Sequence, residues 1–139
     1  MKRPGLTGIL ETALYVADLD ASRRFYERLF ELTALDRDER FCAYELPGRQ
    51  VLLLFRRGAT AEPVKLPTGV IPSHDGSGRL HVAFSIAAEA LPEWEARLAG
   101  EGVALESRVR WPRGGTSLYF RDPDGHLVEL ATPGLWWAP

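Results

Sequence analysis

An α+β fold made of two βαβββ copies follows from three features of this sequence. Glu11-Thr12-Ala13-Leu14-Tyr15-Val16 and, about 70 residues later, His81-Val82-Ala83-Phe84-Ser85-Ile86 are similar strand-like runs, each leading into an amphipathic helix pattern. The halves also close alike, on Val51-Leu52-Leu53-Leu54 and on Leu127-Val128-Glu129-Leu130. Between opening and close, each half carries further strand patterns broken by turn residues. A repeat of one strand, one helix and three strands builds two similar half-sheets, and the pair makes one cupped, mixed sheet. The expected layout is a single domain over 1–139: a first module over 8–57, a connection over 58–78 and a second module over 79–132.

In the first half, Gly8 to Ala17 reads as a strand. Leu10, Leu14 and Val16 point one way, Glu11, Ala13 and Tyr15 the other. Asp18 caps a helix to about Phe30 whose Ser22, Phe25, Tyr26 and Leu29 share a face. Strands over 34–37, 40–46 and 50–56 follow, the last two joined at Pro47-Gly48. From Gly58 to Gly78, prolines and glycines interrupt every pattern, and an excursion of this length is expected to do something, for example as a lid.

In the second half, Leu80, Val82, Phe84 and Ile86 face one side, His81, Ala83 and Ser85 the other. A helix with Pro92 in its first turn buries Leu91, Trp94 and Leu98, and Gly100 and Gly102 end it. Strands are expected over 103–109, 116–121 and 126–132, with Asp122-Pro123-Asp124-Gly125 as a turn in which proline sets φ and glycine accepts a positive one. Each helix is expected to cover the sheet of its own half. Trp136 and Trp137 lie beyond the last strand and suit packing on a partner or filling an edge.

The composition excludes several function classes. The 139 residues are 45% hydrophobic and 26% charged with a net charge of −2, so no basic surface for nucleic acid or an anionic membrane is indicated. No apolar run approaches the roughly 20 residues that span a bilayer. A single cysteine, Cys42, fits a reducing compartment. A cytoplasmic protein is expected. There is no phosphate-binding glycine loop, nucleophile elbow or cysteine–histidine signature.

The chemistry gathers on the sheet face turned away from the helices. Alternation places Glu11, Leu53, His81, Tyr119 and Glu129 there, with Glu11, His81 and Glu129 at corresponding places in the repeat. A buried carboxylate must be paired or take up a proton, and a shared cation meets that need. One imidazole and two carboxylates, with water completing the shell, suit Mn²⁺, Fe²⁺, Zn²⁺ or Mg²⁺. Tyr119 is a candidate proton or hydrogen-bond donor. Arg110, Trp111 and Arg113 form a basic, aromatic hairpin tip suited to a carboxylate or phosphate. His74, in the long connection, is a candidate substrate contact or base.

Val16-Ala17-Asp18-Leu19 leading to Phe25-Tyr26, and the run from Tyr119 through Asp122-Pro123-Asp124-Gly125 to Val128-Glu129-Leu130, resemble the vicinal oxygen chelate superfamily. That group contains glyoxalase I, extradiol dioxygenases, fosfomycin-resistance transferases, methylmalonyl-CoA epimerase and bleomycin-resistance proteins. The resemblance runs from Ile9 to about Pro133. It implies metal ligands on the first, fifth and last strands, here Glu11, His81 and Glu129. Many members have histidine where this chain has Glu11, so the site is harder and more anionic. Leu53 stands where four-ligand members place another ligand, so three protein ligands with open positions are implied. Tyr119 matches the active-site tyrosine of the dioxygenases and fosfomycin transferases. Members commonly form homodimers, some sharing each site between chains. The implied function is a metal-dependent enzyme acting on a small molecule with adjacent oxygens, as lyase, isomerase, dioxygenase or transferase. The alternative is a metal-free binder resembling the bleomycin-resistance proteins, with Trp111 and Tyr119 gripping the ligand.

Overall fold

Both expected sheets form in the computed structural model, which describes residues 2–139. The first half contains β1 (Glu11–Val16), α1 (Leu19–Phe30), β2 (Ala34–Arg37), β3 (Phe41–Leu46) and β4 (Gln50–Arg56). A short hairpin follows, β5 (Val64–Leu66) with β6 (Gly69–Ile71). The second half contains β7 (His81–Ser85), a 3₁₀ turn at Ala88–Ala90, α2 (Leu91–Gly100), β8 (Ser107–Arg110), β9 (Thr116–Arg121) and β10 (Leu127–Ala131). The sheet orders are β1-β4-β3-β2 and β7-β10-β9-β8, so the repeat read in the sequence is a repeat of topology. In each, the opening strand lies parallel to the closing one, with Glu11 opposite Val51 and His81 opposite Leu127.

Two compact units emerge. One holds the residues up to Arg23 together with Leu32–Gly76; the other holds Arg24–Glu31 and Ser77–Pro139. In the first unit, Leu14, Val16, Leu52 and Leu54 are buried, as alternation predicts. The Asp18 carboxylate accepts the Ala21 N–H at 3.1 Å, which is the expected helix cap. The second unit buries Leu118, Phe120, Val128 and Leu130 on the corresponding face.

The expectation that each helix covers its own half is corrected here. The last two turns of α1 belong to the second unit, where Phe30 lies 5.0 Å from Phe84 and 5.5 Å from Trp94, and Phe25 lies 6.4 Å from Phe120. The aromatic rings explain the choice, because they bring the largest apolar area to the contact and gain from tilted ring geometry. Arg97 of α2 ties the same segment down, donating from Nε to the Leu29 carbonyl and from Nη2 to the Arg28 carbonyl, both at 2.7 Å.

Other boundaries also move. The first strand is shorter than Gly8 to Ala17, and Leu10 is exposed. Within 103–109, pairing begins only at Ser107. On α2, Leu98 is buried whereas Leu91 and Trp94 are half-buried. The 58–78 stretch is not structureless, since it carries β5 and β6. It is clamped at its base: the Thr60 hydroxyl donates to the His74 carbonyl at 2.5 Å, and the His74 N–H donates to the Thr60 carbonyl at 3.0 Å.

Candidate metal centre

The second unit brings His81, Glu129, Tyr119, Ser117 and Trp111 to one face. Glu129 sits on β10 between buried Val128 and Leu130, and alternation turns it away from the helix side. Its neighbour across β9 is Tyr119. Glu129 is 5% exposed, so its carboxylate must be compensated. The Ser117 hydroxyl donates to Oε2 at 2.5 Å, and His81 Nε2 lies 3.2 Å from Oε1. Ser117 in turn accepts from the indole N–H of Trp111 at 2.8 Å.

The hydrogen bonds around His81 fix its chemistry. Nδ1 lies 2.9 Å from the Leu127 carbonyl. A carbonyl only accepts, so Nδ1 carries a proton, and Nε2 is the ring atom turned toward Glu129 Oε1. Two lone-pair acceptors 3.2 Å apart repel unless a cation lies between or beside them. A second ring proton meets that need, and so does a metal. Adjacent ligands on a metal, each about 2.1 Å from it, stand about 3.0 Å apart at an octahedral edge and about 3.4 Å apart at a tetrahedral one. The observed separation falls inside that range, and the imidazole–carboxylate donor set suits a borderline or hard divalent cation. The residues therefore fit a divalent metal.

Tyr119 is half-buried. Burial and then the Glu129 carboxylate raise its hydroxyl above the ordinary phenol pKa, so it stays protonated and able to donate. Trp111 opens a tight turn, accepting the Gly114 N–H and donating its own N–H to the Gly115 carbonyl. That turn is anchored where Gly115 and Gly134 meet: a Cβ on Gly115 would lie 2.7 Å from the Gly134 carbonyl carbon. Arg110 and Arg113 are exposed beside it, and their guanidinium groups make no ion pair among the described residues.

Glu11 lies on β1 in the first unit, exposed and opposite Val51. His74 is also in the first unit. Its Nδ1 lies 2.6 Å from the Tyr15 hydroxyl, and its ring packs edge-on against Phe55 at 4.8 Å. This histidine is held by an aromatic cluster rather than hanging on a free loop.

A further group offers ligand atoms within 4.8 Å of one another: Asp122, Asp124 and His126. Its polar atoms already have structural work. Asp122 Oδ1 accepts the backbone N–H groups of Asp124 and His126, Oδ2 accepts from Tyr26, and His126 Nδ1 accepts the Leu80 N–H at 2.8 Å. This is the wiring of the Asp-Pro-Asp-Gly turn. Sequence reasoning missed Ser117 as part of the site, although its position two residues before Tyr119 places it on the same strand face. It also missed Trp111's bond to Ser117, which has no local signature.

Comparisons with known proteins agree with the fold. Metallothiol transferase FosB of Bacillus licheniformis is 35% identical over 133 residues, covering 95% of this chain and 79% of that protein. The protein of the same name from Staphylococcus epidermidis is 31% identical over 128 residues, covering 91% of this chain and 82% of its own length. The crystal structure of lactoylglutathione lyase from Agrobacterium tumefaciens superposes with a TM-score of 0.86 at 33% identity, covering 96% of this chain and 98% of that one. The expected divalent cation agrees with the relatives' name and with the donor groups of the second unit. No helix among the described residues is long and apolar enough to cross a membrane. A sequence model of the Glyoxalase/Bleomycin resistance protein/Dioxygenase superfamily matches residues 8–130, and the chain belongs to that superfamily.

Proposed function

We propose that this protein is a metal-dependent transferase that joins a thiol to a small electrophile presenting adjacent oxygens. The observation that carries the reading is that His81 Nε2 and Glu129 Oε1 lie 3.2 Å apart, the spacing of two neighbouring ligand atoms on one metal. The curated relatives named metallothiol transferase favour thiol transfer over a lyase or dioxygenase reaction.

In this reading His81 and Glu129 hold the metal. Glu11 is carried as third ligand on the sequence repeat alone, and pairing with a second copy of the chain belongs to the same proposal. The bound cation supplies Lewis-acid polarisation of the substrate oxygens. The chain's own residues do the remaining work. Tyr119, across the strand pair from Glu129, keeps its proton and offers it to an oxygen that gains negative charge. Arg110 and Arg113, whose guanidinium groups make no ion pair among the described residues, are offered to an anionic substituent. With an epoxide as electrophile, the thiol sulfur forms a bond to ring carbon and the carbon–oxygen bond opens. The proton lost by the thiol is balanced by the one gained at the resulting alkoxide.

Protein purified without chelator is to be analysed for Mn, Fe, Zn and Mg. Loss of free thiol is then followed with an oxyanion-bearing epoxide, with and without added Mn²⁺. Stoichiometric metal and metal-dependent thiol consumption, both lost in Glu129→Gln, are expected. Metal-free protein of normal melting temperature that binds the small molecule without consuming thiol favours the drug-sequestering alternative.

A further inference from the structure

The hydrogen bonds leading to Glu129 run in one direction only. An indole N–H donates and cannot accept, so Trp111 must donate to Ser117 Oγ. The single proton of the serine is then left for Glu129 Oε2. A lone serine hydroxyl can rotate toward another acceptor. Here the indole occupies one side of the oxygen, and the Tyr119 hydroxyl approaches both Ser117 and Glu129 from the same face. Ser117 is fully buried, so water does not compete for it. Trp111 is itself anchored in the turn that closes on Gly115 and Gly134.

We propose that Ser117 and Trp111 are positioning residues: they hold Glu129 so that it presents one oxygen, Oε1, beside His81 Nε2. This rests on the metal reading given above. With Oε2 engaged by the serine, the carboxylate is held for one-oxygen ligation. Without that bond it is free to turn and offer both oxygens, or to drift from His81. Partners of this kind behind metal ligands fix orientation as much as the ligands themselves do. The relay also connects the site to the turn that carries Arg110 and Arg113, so the guanidinium groups and the ligand carboxylate share one rigid support.

The test compares wild type, Ser117→Ala and Trp111→Phe. Mn²⁺ and Co²⁺ affinities are read by calorimetry, the visible Co²⁺ bands by absorption, and fold by urea titration. Ser117→Ala is expected to bind about tenfold to a hundredfold more weakly, and Trp111→Phe by a smaller factor in the same direction. Both are expected to shift the Co²⁺ bands, which a purely structural role for the two residues would leave unmoved. Trp111 is only half-buried, so its variant reports even if Ser117→Ala does not fold. Wild-type protein that binds neither metal overturns the metal reading and this inference with it. Wild-type binding, with variant affinities and bands unchanged, overturns the positioning role alone.

Discussion

The Tyr26 hydroxyl donates to Asp122 Oδ2 at 2.8 Å, across 96 residues of chain. Both groups are buried. Asp122 is thereby the hub of its turn, since its other oxygen accepts two backbone N–H groups. Tyr26→Phe keeps the ring, which packs 5.1 Å from Phe25, and removes only the donor. A lost hydrogen bond to a buried charged group costs about 1.5–3 kcal/mol. Urea titration is expected to show that loss at neutral pH; an unchanged midpoint would contradict it.

The same pair predicts an alkaline weakness. Burial and then the Asp122 carboxylate push the Tyr26 hydroxyl well above its ordinary pKa. The unfolded tyrosine loses its proton near pH 10 while the folded one retains it. The stability this contributes is complete below about pH 10 and disappears as pH climbs through the folded value. Tyr15 and Tyr119 are raised in the same sense, the first by burial and then Asp75. Stability is expected to fall above about pH 10, less steeply in Tyr26→Phe than in wild type. Equal slopes in the two proteins would refute the assignment.

His81→Ala is expected to abolish metal uptake with little effect on fold. The side chain is 50% exposed, and its contacts are polar rather than packed. Its removal takes away one of the two partners of the buried Glu129 carboxylate and leaves the Ser117 hydroxyl, so a loss of about 1–2 kcal/mol without unfolding is expected. Metal analysis beside a melting curve separates the two effects. Global unfolding of this variant would show that the site face is a packing face.

Arg97→Ala is expected to destabilise by about 1–2 kcal/mol, because two carbonyls at the end of α1 lose charged donors. Arg97→Lys should recover only part of that, since an ammonium lacks the planar fork that serves both carbonyls at once. Full recovery by lysine, read in urea, would mean that charge alone matters there.

Regularly repeating features were legible in the sequence. The alternation of Leu14 and Val16, and of Val128 and Leu130, marks buried faces, and the Asp18 cap marks the start of α1. Glu129 and Tyr119 could be assigned to one face because alternation along each strand is strict. The β5–β6 hairpin gave no such signal: its strands are three residues long and no residue in them is buried, so no apolar pattern is imposed. The departure of residues 24–31 to the second unit was also invisible. Periodicity says which side of a helix is apolar and nothing about which sheet receives it. Tyr26 with Asp122, His74 with Tyr15 and Trp111 with Ser117 are matched by geometry across the fold, and single residues carry no trace of such matches.

Cys42, the chain's one cysteine, lies on β3 with no solvent exposure. The chain's one thiol is therefore closed off from substrates. In a thiol transfer the nucleophile has to enter as a free co-substrate and meet the electrophile on the protein. A thiol that adds directly to the electrophile, with no side chain of the protein carrying a group in between, predicts kinetics of the sequential kind, with both reactants bound before either product leaves.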